Sequence, residues 1–234
     1  MDAARIAALL YPFIERTLPE VSLHLISTYI DLLLRWNARI NLTAVRDPDN
    51  IVTRHFGESL FLARHLFPDA PVLSVGRTLL SANPSLHPGS ISKINEIRVL
   101  DIGSGAGFPA VPLKIWAPAI QLTLIESNHK KAAFLREVAR QLRLTDINVI
   151  TERAETLVAR PDFPPADLVT LRAVEHFEDI VPLAARFLAP SGRLALLIGA
   201  SQVPTLLSLA TGLRWALPVA VPNSNARILA IGSN

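Results

Sequence analysis

The apolar run Val99–Leu100–Asp101–Ile102 passes straight into Gly103–Ser104–Gly105–Ala106–Gly107–Phe108. This junction restricts the fold more than any other stretch of the chain. It reads as a buried strand carrying an acid near its end, followed by a turn with glycine at alternate positions. Glycine adopts dihedrals that a Cβ forbids and lets backbone N–H groups approach a ligand closely, so a nucleotide-like ligand fits such a turn. The spacing is G-x-G-x-G, whereas a dinucleotide fingerprint has G-x-G-x-x-G.

From residue 97 onward strand and helix patterns alternate, which implies an α/β fold whose mostly parallel sheet is joined by crossovers. Strands are predicted at Arg98–Ile102, Gln121–Ile125, Asn148–Thr151, Ala166–Leu171 and Gly192–Ile198. Helices are predicted at Pro109–Trp116, Lys130–Arg143 and Glu178–Leu188. Two further apolar runs, Trp215–Val221 and Arg227–Ile231, flank Pro222–Asn225 and suggest an antiparallel C-terminal hairpin. Residues 1–68 read as three helices forming an N-terminal cap. One is the amphipathic stretch with Leu23, Ile26, Ile30, Leu33 and Leu34, and another spans about 49–66. Residues 69–96 are rich in turn formers and read as a flexible insertion, leaving 97–234 as the main domain.

The chain of 234 residues has no cysteine, which excludes disulfides, thiolate metal sites and cysteine nucleophiles. It has no apolar run long enough for a membrane span and no signal-peptide pattern at its start, so a soluble cytoplasmic protein is expected. The formal net charge is +3, and 19 of the 23 basic residues are arginine, the side chain best suited to phosphate. Arg136, Arg140 and Arg143 have the spacing of one helix face. That face is either solvated or a contact for a phosphate backbone. The six histidines show no pair at ligand spacing, and no metal is expected. His55 either faces the cleft or makes a structural hydrogen bond.

Ligands in open parallel sheets sit beyond the carboxyl ends of the strands. Gly103, Gly105 and Gly107 follow the first strand, Glu126 ends the second, Ala154 and Glu155 follow the third, and Leu171–Arg172–Ala173 end the fourth. Glu126 could accept bonds from a ribose diol or serve as an acid at a helix start, and Glu155 could bind or be a surface acid. Asp101 could be a buried structural acid. Beside a binding turn, its carboxylate would repel a pyrophosphate and attract a sulfonium, which favours S-adenosylmethionine over a nicotinamide dinucleotide.

Several segments extend this reading: Leu34–Arg35–Trp36–Asn37 through Asn41–Leu42–Thr43–Ala44, Arg46–Asp47–Pro48, His55–Phe56–Gly57–Glu58–Ser59–Leu60, Asp101 to Pro109, Lys130–Lys131 through Phe134 to Ala139, and Arg153–Ala154–Glu155. With these segments the chain resembles the RsmG (GidB) family of 16S ribosomal RNA guanine-N7 methyltransferases. The resemblance implies a class I S-adenosylmethionine-dependent methyltransferase fold, Rossmann-like, with cofactor contacts at Gly103, Gly105, Phe108, Glu126, Ser127, Asn128, Ala154 and Glu155. It implies a functional Arg172, catalytic and beside the cofactor, and 16S rRNA or the small ribosomal subunit as partner of a monomer that needs no membrane. Arg172, Arg46, Arg54 and the 130–143 helix are the candidate RNA-facing groups.

Three positions depart from the family pattern, which usually has serine at Leu171, lysine at Ile198 and glycine at Ala110. The first two would weaken a polar lining near the target base. Guanine N7 has a lone pair and no proton, so transfer needs alignment rather than a base. Two other readings stand beside this one: a non-catalytic ribosome-assembly factor that keeps the cofactor fold, and a methyltransferase for a small molecule or protein. A nicotinamide oxidoreductase is a distant third.

Overall fold

A computed structural model describes residues 1–70, 97–172 and 176–234. The insertion expected at 69–96 lies, apart from Asp69 and Ala70, outside the described residues, as does Ala173. The sheet runs β3-β2-β1-β4-β5-β8-β6, with β7 also on β8. Its strands are β1 Arg98–Ile102, β2 Gln121–Ile125, β3 Ile147–Ile150, β4 Ala166–Arg172, β5 Leu188–Gly199, β6 Arg214–Trp215, β7 Val219–Ala220 and β8 Arg227–Ser233. The first five pair in parallel and β8 runs antiparallel to β5, as the sequence pattern predicts.

The N-terminal helices are α1 Ala3–Ile14, α2 Glu20–Asn37 and a third run of α3 Pro48–Ile51, a π-helical turn Val52–Gly57 and α4 Glu58–Leu66. Asp2 and Asp47 cap the first and third, accepting bonds from the Arg5 and Asn50 N–H groups. The π-helical turn leaves no trace in the hydrophobic spacing. It brings Gly57 against Phe13, where a Cβ would lie only 2.7 Å from the ring. After the glycine turn come α5 Ala110–Trp116, α6 His129–Gln141, α7 Ala154–Val158, α8 Phe177–Ala185 and α9 Val203–Leu209.

Strand alternation divides the core between the two faces of the sheet. Val99 and Leu168 join one cluster with Ile6, Phe13, Ile30, Phe56 and Leu60 of the N-terminal helices and Trp116 and Phe134 of the crossovers. Leu100, Val169, Leu171, Leu196 and Ile198 join the other with Val181, Ala184 and Leu206. By the same alternation Asp101, Thr170 and Arg172 project toward the N-terminal helices. Leu171 and Ile198, 0% and 4% exposed, project away from them. The expectation that these two strip polar lining from the site is therefore corrected: both fill an apolar core on the face opposite Arg172. Ala110 is likewise fully buried.

Other differences from the sequence reading have local causes. α6 stops at Gln141. Arg143 takes a left-handed conformation, φ 51°, and the Leu144 N–H bonds the Ala139 carbonyl across it, a Schellman ending. Arg143 thus lies off the helix face that Arg136 and Arg140 share. Arg136 donates to Thr151 Oγ1 at 2.6 Å, and Arg140 holds both carboxylate oxygens of Glu137 at 2.8 Å. The 215–221 run is split at Pro218, which has no N–H for a ladder, so β6 and β7 pair separately with β8. Pro190–Gly192, read as a turn before a strand, lies within β5 as an irregularity between the pairs Ala166/Leu188 and Leu168/Arg193.

Candidate functional site

The glycine turn is fastened to the end of β2. The Gly103 and Ser104 N–H groups both donate to the Ile125 carbonyl, at 2.9 and 3.0 Å. The next residue, Glu126, is buried and accepts from the Gly105 N–H through one oxygen and the Asn128 N–H through the other, both at 2.8 Å. Each carboxylate oxygen keeps a further lone pair for a ligand hydroxyl. Beside this bridge lies a cleft of about 140 Å³ lined by Gly103, Glu126, Ser127, Ala154 and Glu155, with Ile102, Ile125 and Ile180 as apolar walls. Five of the predicted contact residues thus meet in one place. Asn128 is at its margin, where its side chain caps α6 through the Lys130 and Lys131 N–H groups.

The turn glycines are constrained for different reasons. All three have positive φ, 69°, 54° and 83° in order. At Gly107 a Cβ would sit 2.9 Å from Val111 Cγ2 and 3.1 Å from Leu135 Cδ2, so packing forbids it. At Gly105 the nearest atom would be the Gly103 carbonyl oxygen at 3.8 Å, which leaves space for a ligand. Gly105→Ala should therefore cost only about 1–2 kcal/mol of stability, from its left-handed backbone. Ligand affinity should fall by roughly tenfold or more, as its Cβ takes up close-approach space. Urea unfolding and calorimetric titration of the same variant separate these effects.

Asp101 is 1% exposed. Its Oδ1 accepts the Thr170 hydroxyl at 2.6 Å, but Oδ2 is buried with no partner. Burial pushes its carboxyl up to about 6, against the hydrogen bonds of Thr170 and Ser104 and with help from the nearby Glu126 charge. An orphaned buried carboxylate oxygen is costly unless a donor or cation arrives. This one fits a cationic ligand at the turn.

Arg172 leaves the end of β4 toward the N-terminal helices. Its side chain is only 7% exposed and pairs with Glu58, 5% exposed, at 2.9 Å. Arg227 of β8 approaches the other Glu58 oxygen at 3.5 Å. Arg172 also donates to the Arg54 carbonyl and, at 3.2 Å, to His55 Nδ1. A guanidinium has no acceptor, so Nδ1 must be the bare nitrogen and Nε2 carries the hydrogen. Nε2 then donates to Thr43 Oγ1 at 2.7 Å. Burial, and then the Arg172 charge, push His55 down to about 3, so it is neutral across the physiological range. Of the two readings of His55, the structure shows the structural hydrogen bond, to Thr43 on one nitrogen and to Arg172 on the other. Arg172 Nε remains buried and unpartnered.

Phe108 joins the two halves. Its ring stacks on Tyr29 (centroids 5.3 Å apart, 7° between planes) and on His55 (4.8 Å, 25°), and the Arg172 guanidinium lies 5.9 Å from it. Tyr29 donates its hydroxyl hydrogen to the Ala106 carbonyl within the glycine turn. Arg46 and Arg54 are exposed. Sequence reasoning did not single out Glu58, Arg227, Thr43 or Asn37. Asn37 closes the loop after α2 by accepting from the Leu42 and Thr43 N–H groups and donating to the Thr43 carbonyl. Three of the four, Asn37, Thr43 and Glu58, lie inside the runs at 34–44 and 55–60 that carry the family resemblance, which was the available signal.

The chain is similar to several known proteins. A family model described as rRNA small subunit methyltransferase G matches residues 22–77 and 84–211. A protein named Ribosomal RNA small subunit methyltransferase G from Chromobacterium violaceum is 33% identical over 215 residues, covering 91% of this chain and 88% of that protein. A protein of the same name from Chloroflexus aggregans is 40% identical over 176 residues, covering 70% of this chain and 62% of its own length. Among solved structures, a chain of a fibrillarin/Nop5p complex superposes with a TM-score of 0.50 at 16% identity, over 59% of this chain and 72% of that one, a likeness of fold alone.

Proposed function

The chain belongs to the rRNA small subunit methyltransferase G family, and from that premise we propose that it transfers a methyl group from S-adenosylmethionine to N7 of a guanine in 16S rRNA of the small subunit. The observation that carries the reading is the glycine turn tied through the Gly105 N–H to the buried Glu126 at the cleft, with the buried, unpaired Asp101 Oδ2 near the end of the strand that leads into that turn. A cation at the turn, a diol at Glu126 and a flat group between Ile102, Ile125 and Ile180 are the parts of this cofactor.

When bound, S-adenosylmethionine supplies an electrophilic methyl on a sulfonium sulfur, which departs as a neutral thioether. The lone pair of N7 forms the new C–N bond, no proton moves, and the positive charge passes to the base. The protein therefore has to position and to stabilise charge. Gly103 and Gly105 present the turn, and Glu126 holds the ribose with Ser127, Asn128, Ala154 and Glu155 around it. Asp101 balances the cation. Arg172, fixed by Glu58, His55 and the Arg54 carbonyl, is the catalytic group that orders the reacting end over Phe108. Residues 1–68 serve as a cap that presents RNA to the 97–234 unit, and the protein works as a monomer in the cytoplasm. No helix among the described residues is long and apolar enough to cross a membrane.

Purified protein with labelled methyl donor should label unmodified small-subunit rRNA, offered as protein-free 16S rRNA or as subunits. It should not label a panel of metabolites and proteins. Labelling of a metabolite or a protein alone would replace this reading. Cofactor binding without transfer to any RNA would favour an assembly factor.

A further inference from the structure

We propose that the groove between the end of α2 and the face of α6 that carries Lys130, Ala133, Glu137 and Gln141 is a docking site for an unpaired strand of RNA flanking the methylated base, an inference that rests on the function proposed above. The groove encloses about 680 Å³, and Arg35, Arg39 and Lys130 line it as exposed cations. Its volume is in the range of sites that enclose a small ligand, so a nucleotide fits. Glu137 is its one lining carboxylate, and that charge is already held by both nitrogens of Arg140 and by Gln141. The net field in the groove is positive.

The lining also suits a base. Trp36 is half-buried and tilted against Phe134 at 5.6 Å, which holds its indole in place. A fixed indole among arginines combines a stacking surface with a track for phosphates, the pattern that binds single strands without reading a duplex groove. An acidic peptide would use the cations but not the indole.

Position ties the groove to the chemistry. Lys130 follows Asn128 by two residues, and the Asn128 N–H is bound by Glu126 of the cofactor cleft. At the other end α2 closes through Asn37 onto Thr43, which holds His55 and through it Arg172. A strand lying in the groove is thus flanked by both halves of the site.

The test is R35A/R39A/K130A beside W36L, each titrated with an unmodified 16S rRNA fragment and with small subunits across a salt series. Loss of three phosphate contacts should make the dependence of log affinity on log salt shallower by about 2, at roughly 0.7 per contact on a single strand. The KM for RNA should rise at least tenfold while S-adenosylmethionine affinity, read by calorimetry, is unchanged. W36L should weaken RNA binding with no change in salt slope. RNA affinity and salt slope equal to wild type in the triple variant would overturn the proposal. Titration reads the groove even without turnover. A wild-type protein that binds RNA through these residues yet methylates none would refute the activity and leave the groove standing.

Discussion

Arg172→Ala is expected to abolish methyl transfer and to lower the free energy of unfolding by about 3 kcal/mol. From its place at a strand end, the sequence leads one to expect a functional arginine whose removal abolishes methylation and leaves the fold intact. The structure corrects that expectation. Arg172 and Glu58 are a buried pair, and truncating one member leaves the other buried with only Arg227 at 3.5 Å to balance it. Breaking such a pair typically costs several kcal/mol. His55 also loses the donor that fixes its tautomer. E58Q separates the two effects, because it breaks the same buried pair and leaves the Arg172 guanidinium without its counter-ion, at a similar cost in stability, while keeping an amide acceptor for Arg172. It should keep measurable turnover with a raised KM, whereas R172A should show none even at temperatures where its circular dichroism is native. Normal product formation by folded R172A would remove Arg172 from the mechanism.

Asp101→Asn should stabilise the cofactor-free protein at neutral pH and weaken cofactor binding by roughly 10–100-fold, because the cationic ligand loses a charged partner whose effect is about the size of one charge-assisted hydrogen bond. The folded carboxyl releases its proton near 6 and the unfolded one near 4. Between these values the folded state holds more protons, so the stability of the cofactor-free protein falls as pH rises through 4 to 6. Above pH 6 the loss is on the order of 3 kcal/mol. The asparagine variant should lack this slope. Glu126 and Arg172 also face this carboxyl with opposite effects, which moves the midpoint without reversing the direction. In the wild type, S-adenosylmethionine affinity should decline as pH falls below 6, when Asp101 protonates. Urea unfolding from pH 4 to 8 and calorimetry over the same range check both halves, and equal cofactor affinity in D101N and wild type would remove the charge argument.

The sheet was largely legible in the sequence because its strands are short apolar runs separated by turn chemistry, and the glycine turn announced its ligand edge. Local patterns fail where tertiary contacts decide. The π-helical turn at 52–57 serves Gly57 against Phe13, a contact more than forty residues away in sequence. Arg143 leaves its helix because a left-handed residue ends it. The half of the candidate site around the glycine turn could be read from local pattern, since Gly103, Glu126 and Ala154 each follow a strand. The other half could not. His55 and Glu58, Arg172, and Arg227 come from three distant segments, and only the folded chain shows that the buried Glu58 lies between two arginines.

The decisive measurement is nucleoside mass spectrometry of small-subunit rRNA from cells with and without this protein. The account predicts one N7-methylguanosine in 16S rRNA that disappears when the protein is absent and returns with the wild-type chain but not with Arg172→Ala. An unchanged content of N7-methylguanosine in 16S rRNA from cells lacking the protein would contradict it.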